Sequence, residues 1–193
     1  SLCTALVDMY AKCGVLSEAH EVFEVLPVRN VVSWSALIVG YSQAGQAHEA
    51  LYSFEQMQYE GLEPNKVTLV CIMKVCGNVG AIDKGCKIHE EIIQRRMLGK
   101  DIMLGTAVVD MYVKCGALAK AQESFAEITI RDVVSWTSLI SGYADHGHCD
   151  EALKVYEKMQ LEGVAPDAAT LVSYLKACGR IVAADTGQEM HSY

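Results

Sequence analysis

Proline is scarce in this chain, three residues in 193, and basic residues are outnumbered, 16 Lys+Arg against 24 Asp+Glu. With 51% of residues hydrophobic, so little proline excludes a collagen-like or proline-rich disordered chain and supports extensive burial. No apolar run approaches the roughly eighteen residues of a membrane span, and the N-terminus lacks a charged-then-apolar signal pattern, so no membrane association is expected. The eight cysteines include no C-x-x-C pair and no zinc spacing. They read as reduced packing thiols, and no metal is expected. A net charge of −8 is the wrong sign for a protein that holds phosphates over its whole surface, so a nucleic-acid contact requires cations gathered on one face.

Catalytic constellations are missing as well. No Ser/His/Asp or Cys/His set, phosphate-cradling glycine loop or paired carboxylates are present, so no catalytic residue, cofactor or small-molecule substrate is expected. His89-Glu90-Glu91 matches half of a zinc-deaminase signature, but no P-C-x-x-C follows, and the match reads as chance. His89 and its counterpart His191 recur at one helical position, which suits packing.

What is present is repetition. The run Thr4-Ala-Leu-Val-Asp-Met-Tyr-Ala-Lys-Cys-Gly14 returns as Thr106-Ala-Val-Val-Asp-Met-Tyr-Val-Lys-Cys-Gly116, a shift of 102 residues from position 4 to position 106. The same shift maps Val31-Val-Ser-Trp34 onto Val133-Val-Ser-Trp136 and Pro64 onto Pro166. Each period holds three units, each with two helical patterns around a glycine turn. The expected limits are 1–30, 31–65, 66–101, 102–132, 133–167 and 168–193, the first and last incomplete. Starting at Ser1 partway through a repeat, the sequence reads as a fragment whose targeting segment lies outside it.

In 31–65, Trp34, Leu37, Ile38 and Tyr41 share one helical stripe, Gly45 stands where a left-handed residue ends a helix, and Ala50, Leu51, Phe54 and Met57 form a second stripe. Gly61 and Pro64 close it. Stacking such pairs predicts an all-α fold, a right-handed α-solenoid (superhelix) of antiparallel helix-turn-helix repeats, six pairs with the last truncated. Trp34, Trp136, Tyr41 and Tyr143 are expected in its core.

These residues resemble the pentatricopeptide repeat family, in its plant subclass with alternating P, L and S units. Val31-Val-Ser-Trp34, Gly40-Tyr41, Glu49-Ala-Leu51 and Gly61-Leu-Glu-Pro-Asn65 are similar to the P unit. Asp110-Met-Tyr-Val-Lys-Cys-Gly116 is similar to the S unit, and Lys74-Val-Cys-Gly77 with Ile88-His89 to the L unit. The order S-P-L-S-P-L makes the chain a single array.

The resemblance implies sequence-specific binding of single-stranded RNA in a mitochondrion or chloroplast. RNA processing or editing would be served, with a deaminase domain or other editing factor in the full-length protein. It assigns base reading to the fifth and last residues of each unit: Thr4/Asn30, Ser35/Asn65, Val70/Asp101, Thr106/Asp132, Thr137/Asp167, and Val172. The second residues, Val32, Val67, Met103, Val134 and Ala169, would wedge between bases. On the helical periodicity Val32, Ser35 and Val39 face away from the Trp34 stripe. Asp suits guanine's N1–H and N2–H donors and Asn suits adenine, so 5′-AAnGGn-3′ is expected. Lys12, Lys114 and Arg180 occupy one equivalent place where a phosphate could be met, with Asp8 and Asp110 nearby.

Other readings stay open. Asn30, Asn65, Asp132 and Asp167 also suit helix N-caps. A tetratricopeptide-like protein scaffold shares the packing pattern and fits the acidic balance, although Ile38 stands where that pattern wants glycine and the units are not a constant length. Structural spacer repeats are the third reading.

Overall fold

The apolar stripes fold as the spacing predicts. Trp34, Leu37, Ile38 and Tyr41 are all buried, as are Ala50, Phe54 and Met57 facing them, while Leu51 of the second stripe is half-buried. The computed structural model describes residues 2–98 and 101–190, with side chains as far as 183. His191 lies outside the described residues. The chain divides at Val79/Gly80 into two bodies.

The first body holds α1 (Leu2–Lys12), α2 (Leu16–Glu24), α3 (Val31–Gln43), α4 (Ala47–Tyr59) and α5 (Lys66–Val79). α1 packs on α2 and α3, and α3 on α4 and α5. The second holds α6 (Ile82–Gln94), α7 (Ile102–Lys114), α8 (Leu118–Glu127), α9 (Val133–Asp145), α10 (Cys149–Leu161) and α11 (Ala168–Met190). There α7 packs on α6, α8 and α9, and α9 on α10 and α11. No strand occurs among the described residues, and the fold is all-α.

A glycine turn reverses the chain within the pairs that lie inside one body. After α3, Gly45 takes φ +74°. Its N–H donates to the Ser42 carbonyl and that of Gln46 to the Tyr41 carbonyl, at 3.2 and 2.9 Å. This closure satisfies carbonyls that the helix end would otherwise leave orphaned, in a conformation that costs glycine little. The three residues 44–46 then lead straight into α4, so the two helices return on one another.

The two bodies carry matching cores. Phe23 meets Trp34 edge to face at 4.5 Å in the first, and Phe125 meets Trp136 at 4.6 Å in the second. Arg29 and Arg131 each lie 4.9 Å above the phenylalanine ring of their pair, an arrangement in which the guanidinium meets the negative ring face.

The last expected helix pair is corrected by the structure. α11 runs unbroken from Ala168 to Met190, where a truncated pair of helices was expected. Gly80, which takes φ +68° at the corresponding turn, is replaced by Val182, and a β-branched residue strongly disfavours positive φ. The helix therefore continues.

Candidate nucleic-acid interface

Every described last residue of a unit caps the helix that follows. Asn30 Oδ1 accepts from the Val32 and Ser33 amides, both at 3.0 Å. Asp101 accepts from Leu104 at 3.1 Å, and Asp132 from Ser135 at 2.9 Å. Asn65 accepts from Thr68 at 3.0 Å and Asp167 from Thr170 at 2.8 Å. Each bond satisfies a helix-start N–H that has no intrahelical acceptor. The capping reading is correct, and it orients these side chains without using all their polar capacity.

In the P units the caps also join the fifth residues. Asn65 Nδ2 donates to Ser35 Oγ at 3.0 Å, and the Thr68 hydroxyl lies 2.7 Å from Ser35 Oγ and 3.1 Å from Asn65 Oδ1. The Thr170 hydroxyl lies 2.6 Å from the Thr137 hydroxyl and donates to Asp167 Oδ1 at 2.7 Å. The structure thus brings together Ser35 with Asn65 and links Thr137 to Asp167 through Thr170. These amide and hydroxyl donors, the Thr170 amide foremost, hold the Asp167 carboxyl below the usual carboxylate range.

The S units differ. Ser33 Oγ donates to the Asn30 carbonyl at 2.9 Å and Ser135 Oγ to the Asp132 carbonyl at 2.8 Å, so these hydroxyls turn to the cap backbone. The Thr106 hydroxyl is buried with no partner, and Thr4 is buried. Among L-unit residues, Val70 is buried and Val172 exposed. Ser35, expected on an open face, is only 8% exposed, because α5 packs against α3 on that side. Val39 is half-buried.

The expected wedge residues are open apolar side chains. Val32, Val67, Met103 and Val134 are 61, 58, 60 and 54% exposed, and Ala169 is exposed too. Each sits in the first turn of its helix, beside the capping residue.

The cations are less uniform. Lys12 pairs with Asp8 at 2.6 Å and Lys114 with Asp110 at 2.9 Å, both across one helical turn. The equivalence ends at Arg180, whose guanidinium donates to the Ala144 and Asp145 carbonyls at the end of α9. That position suits a cation interacting with a helix C-terminus. Lys176, which the sequence did not single out, pairs with Asp145 at 2.5 Å. Thr68 and Thr170 were also missed. Their signal was available, since the L units carry threonine at the third position where the P units carry serine.

Among the described residues no group of His, Cys, Asp and Glu is placed to hold a metal, and no helix is long and apolar enough to cross a membrane. His89 is buried and shares a hydrogen bond of 2.9 Å with the Tyr112 hydroxyl, a packing role.

Known proteins share this architecture. Residues 29–78 and 131–180 match the PPR repeat family, and residues 1–31 match the PPR repeat. The chain is 42% identical over 189 residues to the pentatricopeptide repeat-containing protein CRR2, chloroplastic, of Arabidopsis thaliana, covering 97% of this chain and 29% of that one. It is 39% identical over 177 residues to the pentatricopeptide repeat-containing protein At4g31070, mitochondrial, of the same plant, covering 92% and 28%. The chain therefore spans under a third of the length of these relatives. The crystal structure of the pentatricopeptide repeat protein PPR10 from maize superposes with a TM-score of 0.77 at 19% identity, over 98% of this chain and 28% of that one. PPR10 in complex with an 18-nt psaJ RNA element gives 0.75 at 22% identity, with the same coverage. With the family matched across both halves of the sequence and the helix pairs in place, this chain belongs to the pentatricopeptide repeat family.

Proposed function

We propose that this segment is part of a single array, with repeat limits 1–30, 31–65, 66–101, 102–132, 133–167 and 168–193, that binds single-stranded RNA at about one base per repeat. It does no chemistry of its own. The observation that carries the reading is the recurrence of an exposed apolar side chain, Val32, Val67, Met103 or Val134, in a first turn next to a capped polar residue. An isolated exposed valine needs no explanation, but four at one repeat position form a set of surfaces on which bases can stack. PPR10, of the same fold, is known in complex with an RNA element.

Asp132 and Asp167 read guanine and Asn30 and Asn65 read adenine, with Thr4, Ser35, Thr106 and Thr137 beside them. Val70/Asp101 and Val172 leave their bases unread, giving 5′-AAnGGn-3′. Lys12, Lys114 and Arg180 meet phosphate, and Ala169 acts as a smaller wedge. CRR2 is named chloroplastic and At4g31070 mitochondrial. An organellar role in RNA processing or editing follows for the full-length protein, the chemistry being supplied by a deaminase domain or separate editing factor.

The test is fluorescence anisotropy at low salt with AAUGGU and GGUAAU RNA, repeated for the double variant Asp132→Asn, Asp167→Asn. Each well-made reading pair discriminates by about 1–3 kcal/mol. Preference for AAUGGU is expected, moving to AAUAAU in the variant. The acidic net charge of −8 favours a second reading, a tetratricopeptide-like protein scaffold or spacer, and equal or absent binding to every RNA would overturn the first reading in favour of it.

A further inference from the structure

We infer that Thr68 and Thr170 are specificity-positioning residues: by fixing which way the protons point in the P-unit pairs, they leave Asn65 offering a donor and Asp167 with Thr137 offering acceptors. The inference rests on the base-reading proposal and adds to it two residues outside the reading pairs.

A hydroxyl carries one proton. The Thr170 hydroxyl donates to a carboxylate oxygen, Asp167 Oδ1, at 2.7 Å, and a carboxylate can only accept. In the 2.6 Å contact between the two threonine hydroxyls, Thr137 is therefore the donor. With its proton committed, Thr137 has only lone pairs for a base, and Asp167 has its second oxygen. Two acceptors side by side meet the N1–H and N2–H donors of guanine and repel the N1 lone pair of adenine.

The Asn65 pair is wired through the same position. Asn65 Oδ1 faces both the amide and the hydroxyl of Thr68, and one Nδ2 hydrogen goes to Ser35 Oγ. The Ser35 proton is directed to the Val31 carbonyl at 2.6 Å or to Thr68 at 2.7 Å, both inside the protein. What remains for a base is the second Nδ2 hydrogen, a donor suited to adenine N1. Thr68 and Thr170 are themselves completely buried, so they touch no base and act through the pair.

The junctions from S to P units are the built-in control. Ser33 and Ser135 stand at the same third position but give their hydroxyls to the cap carbonyls, and Thr106 keeps a buried hydroxyl without a partner. The Thr106/Asp132 pair is not clamped in this way.

The experiment measures Thr170→Val, Thr170→Ser and Thr68→Val in the whole segment, by competition anisotropy. AAUGGU is set against AAUGAU for the fifth base, against AAUAGU for the fourth, and against AGUGGU for the second. Thr170→Val is expected to lose about five- to tenfold of the guanine preference at the fifth base, the scale of one hydrogen bond. The fourth base, read by the S unit, stays as in the wild type, and Thr170→Ser, whose hydroxyl is free to turn to the cap carbonyl as those of Ser33 and Ser135 do, is expected to lose part of the preference at the fifth base. Thr68→Val is expected to weaken adenine preference at the second base alone. Unchanged discrimination in both valine variants, or equal loss at every base, overturns the inference while leaving base reading intact. Absence of discrimination in the wild type overturns both.

Discussion

The indole N–H of Trp34 donates to Glu60 Oε2 at 2.8 Å, whereas that of its buried counterpart Trp136 has no acceptor. Glu162, the residue matching Glu60, turns both oxygens to Arg131 at 3.3 and 3.4 Å. Replacing Glu60 by alanine strands a buried donor, at a cost of about 1–3 kcal/mol. Replacing Glu162 removes only an ion pair near the surface, worth about 0–1 kcal/mol. Thermal unfolding of the two variants is expected to show the larger fall in Tm for Glu60→Ala, and equal falls would remove the distinction.

The lysines expected at phosphate are held by acids one turn back, Lys12 by Asp8 and Lys114 by Asp110. Neutralising both acids in the double variant Asp8→Asn, Asp110→Asn frees two cations and removes the two negative charges beside them. Affinity is expected to rise several-fold at low salt, and the slope of log K against log salt to steepen by about 1.4, the single-strand value for two phosphates. The pairs themselves contribute about 0.3–0.5 kcal/mol each to stability, so folding is little affected. An unchanged slope would place these lysines outside the interface.

His89 makes acid a specific threat to the second body. Burial lowers its pKa first, the Lys120 ammonium lowers it further, and Glu90 opposes both. Its Nε2 is buried without a partner, so the protonated ring would bury an N–H with no acceptor. With the folded pKa below the unfolded value of 6.5, the unfolded chain binds more protons in between. The contribution is complete above 6.5 and is lost as pH falls through the folded pKa. Unfolding followed from pH 7.5 downward is expected to show stability falling in that window, and His89→Gln, which never titrates, is expected to flatten it.

Helix pairs and turns were legible because each rests on a local rule. Glycines at 45, 61, 116 and 147 take positive φ, and the Trp34 and Trp136 stripes are buried. Contacts between one repeat and the next were not legible. The hydroxyl of Thr68 reaches back 33 residues to Ser35, and periodicity does not register such a contact. Ser35 was assigned by periodicity to an open face, and the packing of α5 covers it. The run-on of α11 was overlooked for the opposite reason. It depends on one absent glycine at 182, and a repeat shift tests likeness, not the conformational tolerance of the residue that breaks it.

Arg96 is the one described non-glycine residue in the left-handed region, at φ 52°. It closes α6 as glycines close other helices: its N–H donates to the Ile93 carbonyl at 2.8 Å, and that of Met97 to the Ile92 carbonyl at 3.1 Å. The hydrogen bonds are in place, so what differs from Gly45 is the strain of a Cβ at positive φ, about 1–2 kcal/mol. Glycine relieves that strain but adds entropy to the unfolded chain, which offsets part of the gain. Arg96→Gly is therefore expected to stabilise the protein by about 0.5–1 kcal/mol, read as a rise in Tm, while Arg96→Ala, which keeps the Cβ, leaves Tm near the wild-type value. A rise for both variants would assign the effect to the lost charge rather than to the backbone.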